Sequence, residues 1–168
     1  MFMEIYLLRH GIAEDIGGKI RSDAARPLTD EGAELMQDEA KGMKRLGIHF
    51  NVVLTSPLVR SKQTAEIVGD VLDCANKIHN CPALAIPMSI ADLMQNFKSF
   101  QNDYKVLLVG HQPDLGKLAG YFIGNSKFAL SLKKGSLCKI DVERLTPTPR
   151  GELKWYLTPR QLKFIGQS

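Results

Sequence analysis

Three stretches of this 168-residue chain are almost wholly apolar and then stop at a polar turn. Residues 3–8 (MEIYLL) run into Arg9-His10-Gly11, residues 51–56 (NVVLTS) into Pro57, and residues 105–110 (KVLLVG) into His111-Gln112. A strand with one wet face alternates polar and apolar residues; these do not alternate, so they read as strands of a sheet covered on both faces. The covers are legible between them. Thr29 is a good N-cap and Asp30 and Glu31 place negative charge in the first helical turn, where the dipole favours it. Ala33, Met36, Ala40, Met43 and Leu46 then recur at three- and four-residue steps, and Gly47 ends the helix. Pro57 opens a second helix with Thr64, Ile67, Val68, Val71 and Leu72 on its stripe. A weaker helix covers about 89–100, and another runs from Asp114 to Ile123. In the last third, SLCKIDVE and ELKWYL read as two strands around the turn-rich RLTPTPRG, while residues 12–28 hold no period and read as an irregular loop. The expected fold is α/β: a three-layer sandwich, its mostly parallel central sheet flanked by helices on both faces, in a single domain over 1–168.

Composition narrows the function classes. Hydrophobic residues are 44% and charged residues 24%, which excludes a disordered or collagen-like chain. Twenty-two basic against 18 acidic residues give a formal charge of +4, which suits an anionic ligand. The basic residues are scattered and the tightest cluster is Lys133-Lys134, a solvated face, so no nucleic acid partner is expected. No run approaches the ~20 apolar residues of a membrane span. The N-terminus has no basic region or small-residue cleavage site, so neither membrane nor secretion is expected. Cys74, Cys81 and Cys138 are odd in number and form no CxxC pair, which argues against a disulfide framework or structural zinc and for reduced thiols in the cytoplasm.

In sheets of this kind ligands bind beyond the carboxyl ends of the strands. Three places therefore matter: Arg9-His10 after the first strand, Ser56 and Arg60 after the second, and His111 after the third. If those strands are parallel, two guanidiniums and two imidazoles share one pocket. Arginine forks and nearby helix starts suit a phosphoryl group, and no Walker or kinase glycine pattern is present. Positive neighbours lower a histidine's pKa and keep its ring neutral. A neutral imidazole nitrogen can attack phosphorus, and water can then cleave the phosphohistidine formed. The second histidine can donate to the phosphoryl oxygens, and such transfer asks for positioning and charge neutralisation, which these four groups supply without a metal or other cofactor.

LLRHGIAED, RPLTDEG, LTSPLVRSKQTAEIV and VLLVGHQPDL, in this order, resemble the histidine phosphatase superfamily with its RHG motif, over nearly the whole chain. The short length, RPLT, GHQPDL and the closing LKKGSL look like its SixA-type branch of small phosphohistidine phosphatases. The resemblance implies a phosphoglycerate-mutase-like fold. It makes His10 the nucleophile, with Arg9, Arg60 and His111 forming the phosphate pocket and Arg26 on its rim or merely bracing the loop. The larger branches follow RHG with an acidic residue and carry a carboxylic acid before the last histidine. Here Ile12 and Ala13 follow, and CPALAIPMSIADL has no acid before Asp92. An alkoxide leaving group needs a proton donor, whereas a phosphorylated imidazole leaves as a weak base. The gap therefore favours a phosphoramidate, with Glu14 and Asp92 remaining as potential donors.

The leading expectation is a metal-independent phosphohistidine phosphatase whose partner is a phosphohistidine-bearing protein or a small phosphorylated substrate. A small-molecule phosphatase or mutase of the same superfamily is the second reading, and a non-catalytic phosphate- or phosphoprotein-binding module the third. Bland roles compete at single residues: His111 as a core histidine, Ser56 as a turn residue, His49 and His79 as incidental, Trp155 and Tyr156 as packing.

Overall fold

The computed structural model describes residues 2–167; Met1 and Ser168, the ends of the domain expected over 1–168, lie outside them. The strands are β1 (Met3–Arg9), β2 (Val52–Thr55), β3 (Ile78–Asn80), β4 (Lys105–Gly110), β5 (Leu137–Arg144) and β6 (Arg150–Leu157). The helices are α1 (Asp30–Arg45), α2 (Val59–Val71), α3 (Ile90–Phe97), α4 (Asp114–Phe122) and α5 (Pro159–Gln167). One sheet has the order β3-β2-β4-β1-β5-β6. The first four in that order run parallel, and β5 and β6 add an antiparallel edge. This is the expected three-layer α/β architecture.

The apolar strands are explained by two cores, one on each face. Ile5, Leu7, Val106 and Leu108 pack towards Leu93, Leu115, Leu118 and Phe122 of α3 and α4. Their neighbours Tyr6, Leu8, Leu107 and Val109 point the other way, onto Met36, Ala40 and Met43 of α1 and Ala65 and Val68 of α2. Alternation by side-chain direction is thus intact, and both sides are dry. A fully buried aliphatic side chain contributes roughly 1.5–3 kcal/mol. Among the described residues no helix is long and apolar enough to cross a membrane.

Local signals set most boundaries. Thr29 caps α1, its hydroxyl accepting from the Gly32 N–H at 2.8 Å. Ser89 caps α3 in the same way, accepting from Asp92 N–H. The second helix begins at Val59 rather than Pro57, because Pro57 and Leu58 remain extended or bent while the chain turns out of β2. Two elements escaped the sequence reading. β3 is a three-residue strand with two exposed positions, too short to show a pattern. α5 has one buried residue, Leu162, and docks on α1. That docking is close: a Cβ on Gly42 would collide with the Leu162 backbone, so only glycine admits the approach. The segment expected as an irregular loop is pinned by an isolated bridge between Ala13 and Leu28, another between Gly17 and Ile20, and a single 3-10 turn, Asp23–Ala25.

Candidate active site

The parallel register brings the polar turns together. Arg9 stands opposite Gly110, and Val109 opposite Thr55, so His10, Ser56 and His111 each follow the end of a neighbouring strand. Backbone bonds lock these ends: His10 N–H donates to Gly110 O at 3.1 Å and Ser56 N–H to Val109 O at 3.0 Å. The His10 and His111 rings lie with centroids 5.1 Å apart, and Arg60 reaches across from the first turn of α2. His10, Arg60 and His111 are 6%, 3% and 3% exposed.

Both nitrogens of His10 are committed. Nδ1 lies 2.7 Å from the Gly11 carbonyl, which can only accept, so Nδ1 carries the proton and donates. Nε2 accepts from Arg60 Nε–H at 3.2 Å, so it carries a lone pair. The ring is the neutral Nδ1–H tautomer. Gly11 is itself held by its N–H donating to Thr64 Oγ1 at 3.1 Å, while the Thr64 hydroxyl donates to the Arg60 carbonyl at 2.7 Å. One α2 threonine therefore ties the backbone beside His10 to that of Arg60.

Arg60 uses its remaining nitrogens on Asp23: Nη1 donates to the Asp23 carbonyl at 2.7 Å and Nη2 to Oδ2 at 2.9 Å. Arg9 donates from Nη1 to the Leu132 carbonyl at 2.8 Å, and its buried Nε has no protein partner. The turn that supplies Leu132 is tied to the first strand again where Gly135 N–H donates to the Arg9 and His10 carbonyls. His111 Nε2 sits 2.7 Å from Ser56 Oγ and 3.4 Å from Ser61 Oγ, while Nδ1 is buried without a partner. Arg9 Nε and His111 Nδ1 are thus two orphaned polar atoms on residues that flank His10. Buried orphans are uncommon and call for a partner.

Electrostatics agree with the hydrogen bonds. His10 is pushed down to about 3, first by burial and then by the charges of His111, Arg60 and Arg9, against the pull of the Gly11 carbonyl. His111 is pushed down to about 4, again by burial first, then by Arg60 and Arg9 and opposed by Asp23. The direction expected from sequence is correct, but desolvation outranks the positive neighbours, because the rings are far more buried than a strand-end turn suggested.

Four of the residues expected to form the site therefore come together: Arg9 at the end of β1, His10, Arg60 and His111. Arg26 stands one step back. Its guanidinium contacts the Glu14 carbonyl, Asp23 Oδ1 at 3.0 Å and Asp15 at 3.7 Å. No hydrogen bond or ion pair joins the Glu14 or Asp92 carboxylate to His10, Arg60 or His111 among the described residues, and both side chains lie at exposed positions. Trp155 and Tyr156 pack, Trp155 edge-on to Tyr6; the Tyr156 hydroxyl also donates to Ser136 Oγ at 2.7 Å, bracing the turn that holds Arg9. Asp23, Ser61 and Thr64 were missed. Thr64 sits four residues after Arg60 and three after Ser61, spacings that a helix turns to the same side. No sequence signal marks Asp23, whose role depends on a loop folding back over α2. Among the described residues no group of three or more His, Cys, Asp or Glu is placed to hold a metal ion.

Comparison with known proteins fits this constellation. Residues 5–85 match the family model described as histidine phosphatase superfamily (branch 1). An uncharacterised protein of a Picosynechococcus strain is 37% identical over 138 residues, covering 80% of this chain and 82% of that protein. The phosphohistidine phosphatase SixA of Escherichia coli is 26% identical over 164 residues, 96% of this chain and 98% of that one. Among solved structures, the protein histidine phosphatase SixA complexed with tungstate superposes with a TM-score of 0.82 at 25% identity, covering 95% of this chain and 99% of that one. A phosphoglycerate mutase from Bacillus anthracis shares the fold, with a TM-score of 0.73 at 15% identity over 99% of this chain and 97% of that one. The chain belongs to the histidine phosphatase superfamily.

Proposed function

We propose that the protein is a phosphohistidine phosphatase that works through a covalent intermediate on His10 and without a metal. The observation that carries this reading is the state of His10. A buried neutral ring is held by the Gly11 carbonyl with its Nε2 lone pair directed into a site containing Arg60, Arg9 and His111. A tetrahedral oxyanion fits such a site, and the SixA structure on which this chain superposes is of a tungstate complex.

In the first step the substrate phosphoryl takes over the Arg60 Nε–H that otherwise rests on His10, freeing the lone pair. Nε2 bonds to phosphorus as the bond from phosphorus to the leaving nitrogen breaks; that nitrogen keeps the electron pair, and the substrate ring, carrying a proton on its other nitrogen, departs as neutral imidazole. Arg9 Nε and the Arg60 fork bind the equatorial oxygens. Ser56 Oγ–H donates to His111 Nε2, which leaves the proton on Nδ1 for a phosphoryl oxygen. In the second step water attacks phosphorus, the phosphorus–Nε2 bond breaks, and phosphate leaves with the water oxygen. Donors aimed in advance at developing charge account for most of such a rate enhancement. Arg26 acts from the rim through Asp23.

The substrate class follows from the leaving group. Among the described residues the carboxylates weighed as acids, Glu14 and Asp92, form no hydrogen bond or ion pair with His10, Arg60 or His111, and Asp23 is tied up by two arginines. A site so equipped serves a leaving imidazole, whose conjugate acid titrates near ~6.5, better than an alkoxide. The test is release of phosphate from a phosphohistidine peptide in the presence of chelator, beside an alkyl phosphate. Fast release from the peptide alone supports the reading. Faster release from the alkyl ester overturns the substrate class in favour of a small-molecule phosphatase, and loss of activity to chelator overturns metal independence.

A further inference from the structure

We infer that Asp23 is a positioning residue that aims Arg60 at the reaction. The inference rests on the reading of the site as a phosphoryl-transfer centre and adds to it a part that no motif marks.

A guanidinium is planar and has two edges that each offer a pair of N–H groups. The outer edge of Arg60, Nη1 and Nη2, is engaged by the Asp23 carbonyl and by Oδ2, at 2.7 and 2.9 Å. The inner edge, Nε and Nη2, faces the nucleophile, with Nε–H on His10 Nε2 at 3.2 Å. Counting N–H groups makes the division plain. Nε has one, Nη1 and Nη2 two each, and Asp23 takes one from each terminal nitrogen. The second N–H of Nη2 stays beside Nε–H on the inner edge, where a phosphoryl held against His10 needs both. Asp23 therefore grips the edge that faces away from His10, and by doing so fixes which edge the substrate meets.

The grip is built in depth. Asp23 Oδ1 accepts from Arg26 Nη1 at 3.0 Å, so the two carboxylate oxygens serve two different arginines. Arg26 Nε donates in turn to the Glu14 carbonyl, and the Asp23 carbonyl also accepts from Arg26 N–H at 3.3 Å. The turn over Asp23–Ala25 cannot swing without breaking these contacts. Asp23 is also the only carboxylate within ion-pair range of the Arg60 side chain among the described residues, although that side chain is 4% exposed and Asp23's is 49% exposed. A buried cation with one counter-charge is held where that charge is. Burial raises the Asp23 carboxyl, but the bonds from Arg26 and Arg60 outweigh it and hold the pKa below the ordinary value. It is therefore an anion at neutral pH, equipped to orient an arginine and not to donate a proton.

The experiment compares wild type, Asp23→Ala and Asp23→Asn in steady-state hydrolysis of a phosphohistidine peptide, in binding of inorganic phosphate, and in thermal unfolding. Because misplacement of a reacting group by ~1 Å costs about 100-fold, Asp23→Ala is expected to lower kcat/KM by about 10- to 100-fold, with kcat falling as well as phosphate affinity. Asp23→Asn is expected to recover most of the loss, since its amide oxygen still accepts from Nη2. Unfolding temperatures stay close to wild type, because the side chain is half exposed. Wild-type kinetics in Asp23→Ala would overturn the inference. So would tighter phosphate binding, which would make Asp23 an occupant of the phosphate's place, or an Asn variant as poor as the Ala variant. A wild type that releases no phosphate from the peptide is a separate failure, of the site reading itself; the phosphate-binding comparison then still decides the role of Asp23.

Discussion

Glu39 offers a sharp test of how this core is assembled. It lies in the middle of α1, 2% exposed, and its Oε2 has no hydrogen-bond partner. Its carboxyl covers Gly135: a Cβ there would lie 2.5 Å from Oε2. Burial first, and then the charge of Asp38, push its pKa from 4.5 up to about 8. A carboxyl raised this way is protonated in the folded chain and ionised in the unfolded one at neutral pH. Stability is therefore fullest below about pH 4.5 and falls as pH rises towards 8. At 1.36 kcal/mol per pH unit, the loss reaches about 3 kcal/mol between pH 5 and pH 7.5. Glu39→Gln keeps the shape and removes the titration. Whatever its offset at low pH, its stability relative to wild type should climb with pH by that amount. For a domain of this size that is a shift of roughly 6–12 °C in unfolding temperature. Urea or thermal unfolding of both chains from pH 5 to 8.5 measures it. A difference that stays flat with pH would refute the reasoning, because it would mean that Glu39 finds water or a partner in solution.

The two site histidines predict the opposite dependence. Folded values of about 3 and about 4, against ~6.5 for a free ring, mean stability fully present above ~6.5 and lost as pH falls, by about 2 kcal/mol per ring at pH 5. NMR titration of the ring protons should find both neutral at pH 6, and a midpoint near 6.5 for either ring contradicts the buried site. Arg60→Lys keeps the charge but loses the two-edged fork, so kcat/KM should fall by at least about 100-fold; near-wild-type turnover would show that a point charge suffices. Gly135→Ala puts a side chain at φ +82° and against the Glu39 carboxyl. It should destabilise the chain by about 2 kcal/mol in urea unfolding, the cost of a left-handed alanine plus the clash, and an unchanged midpoint would contradict the packing there.

Much of this was legible because it is local or periodic. Missing alternation in MEIYLL, NVVLTS and KVLLVG reported a doubly covered sheet, and the polar stops located His10, Ser56 and His111 at one end of it. Thr29 marked a helix start through its hydroxyl. The remainder depends on tertiary fit. α5 exists because Gly42 lets it touch α1, and nothing in PRQLKFIGQ alone carries that. Pro57 sits in the turn, not the helix, because the chain must first leave β2. Burial, not the arginines, dominates the histidine shifts, and burial depends on the assembled layers. Asp23 belongs with these: it lies 37 residues before Arg60, in a segment without period, and acquires its role only when that segment folds over α2.

The central claim is that His10 takes the phosphoryl group onto Nε2. Rapid quenching of the protein with a phosphohistidine peptide, followed by mass spectrometry under alkaline conditions, tests it directly. The account predicts an acid-labile phosphoryl group on the peptide containing His10, formed and lost at rates consistent with turnover and absent from a folded His10→Ala variant that releases no phosphate. Phosphate release by His10→Ala, or wild-type turnover with no label ever found on His10, would contradict it.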